Sequence, residues 1–172
     1  YSGDVETALS MASAVNRNTS MDVANDAIEL RLLLQENQGP DSLNTVLRQY
    51  GRALYLQRRG QQAAALEVVD SLLAQQANHP VSDDARFLRG GLLRASGSFE
   101  AAWTAYAELP LLHPHSPLGD RALFQAADVL ARDLENGEAA IEYYTRLLTE
   151  YPGSVLAAEA RARIRALRGD GV

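Results

Sequence analysis

The chain has 172 residues, a formal net charge of −6, no cysteine, and 16 basic residues that are all arginine. These totals exclude disulfides, thiol nucleophiles and thiolate metal sites, and the acidic balance disfavours non-specific capture of nucleic acid. No apolar run reaches the roughly 18 residues that a transmembrane helix needs.

Hydrophobic residues make up 47% of the chain, and its prolines and glycines fall at spacings that punctuate helices, so an all-α fold is expected. Val5, Ala8, Leu9, Ala12 and Val15 share one helical face, predicting a helix over 4–15. Ser20 and Asp22 start a second over 21–37, whose Ile28, Leu30, Leu32, Leu33 and Leu34 spread over more than one stripe and predict extensive burial. Because the chain opens at Tyr1 directly into helical pattern, it reads as a segment of a longer protein. Gly39-Pro40-Asp41-Ser42 separates this stretch from a helix over 43–58, and Gly60 turns the chain into one over 61–76. After a loop at Ala77-Asn78-His79-Pro80, Ser82 is expected to cap a helix ending near Ala95, with Asp83 and Asp84 against its N-terminus. Ser96-Gly97-Ser98 leads into a helix over 99–112 that Pro110 should kink or shorten. Ser116-Pro117 reads as an N-cap with proline at the first helical position, starting a helix that runs to about Leu134. Asn136-Gly137 starts the next, Pro152-Gly153 ends it, and Ser154 caps a last one to about Leu167. About nine helices are expected in all.

Three of these segments are copies of one another. Ala140, Tyr144 and Leu147 align with Ala102, Tyr106 and Leu109 at a spacing of 38 residues, and Ala65 and Leu72 precede Ala102 and Leu109 by 37. A small residue two turns before a large leucine is what two closely packed helices require. The copy from Phe124 to Pro152 needs one inserted residue near Asp133 to stay in register.

A helix–turn–helix unit of this length, with Gly90, Phe99, Ala102, Tyr106 and Pro114 at its small, aromatic and closing-proline positions, resembles the tetratricopeptide repeat. The closure Tyr151-Pro152-Gly153-Ser154, followed by Ala157-Ala158-Glu159-Ala160-Arg161, looks most like bacterial envelope members of that family, of the BamD-like lipoprotein and Tol-Pal coordinator kind. The resemblance implies a right-handed α-α superhelix in which 43–168 hold three repeats and a capping helix as one continuous solenoid. Residues 1–42 would be degenerate helices of a truncated array, with the helix parity slipping between 21–37 and 43–58. It further implies a periplasmic or envelope-associated interaction scaffold, whose first helices line a concave groove for a peptide or protein partner, with no cofactor, no metal and no membrane insertion.

On that geometry the groove positions are Tyr50, Leu54, Gln57 and Arg58, then Phe87, Gly91 and Arg94, then Arg121, Phe124, Asp128 and Arg132. Nine arginines fall on the first helices or their ends, and one, Arg146, on the second. Aromatic rings flanked by guanidiniums suit a peptide groove, the rings supplying area and the arginines gripping carboxylates. Tyr50, Phe87 and Phe124 could equally pack between helices as core. His79, His113 and His115 read as loop residues, since no carboxylate or cysteine cluster accompanies them. Arg168-Gly169-Asp170 reads as a helix end rather than an adhesion tripeptide. Trp103 is expected at a packing interface and Tyr144 in the core. No arrangement of nucleophile, base and orienting acid is apparent, so catalysis is not expected. Self-assembly through the N-terminal end, as a structural subunit of an envelope complex, is the alternative to groove binding.

Overall fold

The structure, a computed structural model, describes residues 10, 11, 28, 30–32 and 44–169. Seven helices are bounded within it: α1 Thr45–Arg58, α2 Gln62–Gln75, α3 Ser82–Ala95, α4 Phe99–Leu112, α5 Gly119–Arg132, α6 Gly137–Glu150 and α7 Ala157–Arg168. The described residues include no strand. The two helices expected before Thr45 lie largely outside the described residues, as does the parity slip between 21–37 and 43–58. Residues 10, 11, 28 and 30–32 are helical, yet Leu30 and Leu32 are each 42% exposed, against the burial expected of that stretch.

Contacts divide the chain into two compact units, Tyr1–Ala85 and Arg86–Val172. In the first, α1 packs on α2. Val46, Leu47, Tyr50 and Ala53 of α1 and Ala65, Val69 and Leu72 of α2 are buried, so each helix offers one apolar stripe at helical spacing. Burial of the Tyr50 ring, beside the carboxylates of Asp84 and Asp83, raises its phenol pKa far above the usual value.

The second unit packs α4 on α5, α5 on α6 and α6 on α7. Its core is Leu123, Phe124, Ala127 and Leu130 of α5, Ala140, Tyr144 and Leu147 of α6, and Ala160 and Ile164 of α7. A second cluster holds Tyr106 and Ala107 against Ala126 and Val129, and Trp103 packs against both clusters with its ring edge-on to Tyr143. The aligned small residues Ala65, Ala102 and Ala140 are all fully buried.

Two kinds of turn recur. Within the hairpins, α1–α2 and α3–α4 turn through Gly60 and Gly97 at positive φ, and Ser98 N–H donates to the Leu93 carbonyl at 2.9 Å. The α5–α6 turn is one residue longer, and the left-handed position is taken by Glu135 at φ 52°. There Asn136 N–H reaches the Leu130 carbonyl at 2.7 Å, and the Asn136 side chain accepts from Ala139 N–H at 3.1 Å, capping α6. The inserted residue thus lies between Asp133 and Asn136.

Between hairpins the same hydrogen bonds appear three times. Val81 N–H donates to His79 Nδ1 at 3.2 Å, and the N–H groups of Leu118 and Leu156 donate to the hydroxyls of Ser116 and Ser154 at 3.1 Å. Ser116 and Ser154 therefore close turns ahead of the helices, and α5 and α7 begin at Gly119 and Ala157 rather than beside those serines. Ser82 caps nothing in the manner expected; its hydroxyl donates to the Gln76 carbonyl at 2.8 Å. Nor does Pro110 shorten its helix. α4 continues to Leu112, and His113 N–H still reaches the Leu109 carbonyl at 2.8 Å, so the proline forgoes only its own N–H bond. Gly169 ends α7 at φ 76°.

Candidate functional site

The residues expected to line a groove separate by environment. In the first unit Tyr50 is buried, Leu54 and Gln57 are half-buried and Arg58 is exposed. In the second, Phe124 is buried and stacks edge-on against Tyr144 with centroids 5.4 Å apart. The rings of Tyr50 and Phe124 therefore belong to the core and offer a partner no face. Phe87 is only half-buried. One edge meets Tyr106 at 5.3 Å, and the Arg121 guanidinium lies over its ring at 5.2 Å.

These contacts set α5 beside the Arg86–Ala95 part of α3. Arg94 Nε donates to Asp133 Oδ2 at 2.6 Å, and Arg94 Nη1 to Gln125 Oε1 at 3.2 Å. Arg94 is thus a strut between the two first helices as well as a cation. Both partners are part-buried, so the bond is screened less than a surface ion pair. Arg121 stays exposed, and among the described residues its guanidinium is in no ion pair. Arg132 is exposed too, at 3.6 Å from Asp128 one turn back.

Asp128 is buried, and the Tyr144 hydroxyl donates to its Oδ1 at 2.5 Å. Burial, then the bond and charge of Asp128, push the Tyr144 phenol well above its ordinary pKa. In the preceding hairpin the tyrosine is Tyr106, and position 128 is matched by Gly91. A Cβ on Gly91 would lie 3.3 Å from the Tyr106 hydroxyl, and one on Gly90 would lie 2.7 Å from the ring itself. Glycines here let the ring lie flat along α3. Burial raises the Tyr106 pKa to about 12, while Arg94 and Arg121 pull it down.

Two of the three histidines serve a turn and a strut. His79 is buried and holds its turn, and His113 Nε2 accepts from Arg86 Nε at 3.2 Å. Among the described residues no group of three His, Cys, Asp or Glu could hold a metal ion, and no helix is long and apolar enough to cross a membrane. Sequence reasoning placed Tyr106 as the repeat's core aromatic and overlooked its hydroxyl. It also missed the approach of Gly119 to Tyr151, whose hydroxyl occupies the space where a Cβ would stand. Aligning position 91 with 128 would have revealed the first.

No protein-family model matches the chain, and no curated protein does. Solved structures do. One is a tetratricopeptide repeat protein from Parabacteroides merdae ATCC 43184, with a TM-score of 0.61 and 17% identity over 96% of this chain. This chain spans 60% of the length of that one. The helices of the described residues and this likeness give the chain a tetratricopeptide-like helical-repeat fold.

Proposed function

We propose that the chain is a non-catalytic scaffold that takes a peptide or protein partner in a groove lined by the first helices of its repeats. The supporting observation is the pairing of α3 and α5 within the second unit. Arg94 bridges to Gln125 and Asp133, and Arg121 covers Phe87, so two first helices present one continuous face with guanidiniums along it. Phe87, Gly91, Arg94, Arg121 and Arg132 form this face, and Leu54 and Arg58 are the corresponding positions of the first unit. The bacterial envelope is the compartment we assign, on the resemblance of the Tyr151–Ser154 closure and the helix after it. The whole span from 43 to 168 is read as one array of repeats.

The test is affinity capture with the full-length protein from its native host, comparing wild type with the double variant Arg58→Glu, Arg121→Glu. Both side chains are exposed, so the helical content should be unchanged while capture is lost. Capture at the wild-type level would refute the groove.

Self-assembly is favoured by a different observation: Met11, Leu30 and Leu32 of the first unit are exposed at 64%, 42% and 42%. Sedimentation across a hundredfold concentration range decides it. A constant mass rules self-assembly out.

A further inference from the structure

We propose that the exposed arginine row of α7 docks the acidic 21–37 segment of a second copy of this chain. The inference rests on the self-assembly reading above and names the two faces that meet.

Arg161, Arg165 and Arg168 recur at i, i+4 and i+7 of α7, so they form one row, and all three are exposed. The turns closed by Ser116 and Ser154 make the same bond 38 residues apart, which aligns this row with Leu123, Ala127 and Leu130 of α5. On α5 those positions are core, shared with Ala140, Tyr144 and Leu147 of α6. A row that receives a helix on α5 is therefore open and charged on α7. Among the described residues the three side chains make no hydrogen bond, ion pair or ring contact, whereas every other arginine of the second unit has such a contact or a charge partner. Like charges one turn apart repel. The helix dipole offsets this only in the last turn, where Arg165 and Arg168 stand, and it does nothing for Arg161. An anionic partner relieves the whole row.

Charge and spacing name the occupant. The chain is acidic as a whole, yet α7 holds four arginines against one glutamate. Residues 21–37 hold four acidic residues against one arginine. Of these, Asp22, Asp26 and Glu29 stand at i, i+4 and i+7 of the helix that the periodicity predicts, and nowhere else in the chain do three carboxylates take that spacing. Each row then spans about 10.5 Å of helix axis, so three guanidinium–carboxylate pairs can form together. Leu30 and Leu32 fall on either side of the acidic row at helical phase and are each 42% exposed, so the same contact covers them. Beside the arginine row stand Ala158 and Ala162, small and exposed, which let a second helix come close.

Sedimentation equilibrium of the whole chain is the test. The wild-type mass should rise with concentration, and the apparent Kd should weaken roughly tenfold or more between about 20 mM and about 500 mM salt, because exposed ion pairs are screened. The triple variant Arg161→Glu, Arg165→Glu, Arg168→Glu changes only exposed side chains, so it should keep the wild-type circular dichroism and stay monomeric. Asp22→Arg, Asp26→Arg and Glu29→Arg together should also abolish association, and mixing the two reversed chains should restore it. Wild-type association by either reversed chain alone, association indifferent to salt, or a mixture of folded variants that stays monomeric would overturn this docking while leaving self-assembly standing. A wild-type mass that does not change with concentration would overturn both.

Discussion

Gly90 and Gly91 are neighbours in α3, and alanine at the two positions should move stability in opposite directions. Either substitution gains about 1 kcal/mol of helix propensity, because glycine loses the most backbone freedom on folding. At Gly91 the new methyl meets a single atom, the Tyr106 hydroxyl at 3.3 Å, which a slight tilt of the ring accommodates. A net gain of roughly 0.5 kcal/mol is expected there. At Gly90 the methyl would stand 2.7 to 2.8 Å from three ring carbons of Tyr106. That ring is buried and held edge-on by Phe87, so it cannot swing aside cheaply. Overpacking of this kind costs about 1–3 kcal/mol and should outweigh the propensity gain. Urea unfolding followed by the fluorescence of Trp103, the one tryptophan, reads the second unit directly. Gly90→Ala should unfold at lower urea than wild type and Gly91→Ala at slightly higher. Adding Tyr106→Leu should recover most of the Gly90→Ala loss. A Gly90→Ala variant as stable as wild type would show that the glycine does not serve the ring.

Three further outcomes are expected. Glu135→Gly should stabilise the chain by about 0.5 kcal/mol, the relief of a left-handed side chain exceeding the added backbone entropy, whereas Gly97→Ala should cost about 1 kcal/mol; urea midpoints check both. Tyr144→Phe strips a buried carboxylate of its neutral donor and should cost roughly 1.5–3 kcal/mol, with Asp128→Asn partly restoring the double variant. Burial raises the phenols of Tyr50, Tyr106, Tyr144 and Tyr151, so the folded state holds protons that the unfolded chain releases above about pH 10. Their contribution is therefore full below pH 10 and lost as pH climbs through the folded values, about 12 for Tyr106. Midpoints at pH 8, 10 and 11 should fall in that order, and less steeply in Tyr106→Phe.

The repeat was legible because the packing that maintains it is local. Ala65, Ala102 and Ala140 mark close approach between paired helices, and all three are fully buried. The copy after Phe124 was visibly one residue long for the same reason. The aromatics at 50, 87 and 124 were not resolvable, since periodicity assigns a face and not a neighbour. Phe124 meets Tyr144 and disappears, while Phe87 meets Tyr106 on one edge and Arg121 over its face. The role of Arg94 was hidden because its partner Asp133 belongs to the next hairpin, at the point where the insertion falls. The expected serine caps failed because a hydroxyl that closes a turn and one that caps a helix carry the same sequence signal. The register of His79, Ser116 and Ser154 was the available clue.

The extra residue before Asn136 has a wider meaning. Its spare length is taken up in the Glu135 bend, and the aromatic pairs on either side of the repeat keep nearly identical spacing, 5.3 Å for Phe87 with Tyr106 and 5.4 Å for Phe124 with Tyr144. The bend acts as a slack link: the chain can grow there by a residue without rephasing the helices it joins. Epitopes, labels or crosslinkers spliced into that link should leave the arginine-bearing face of α5 as it was.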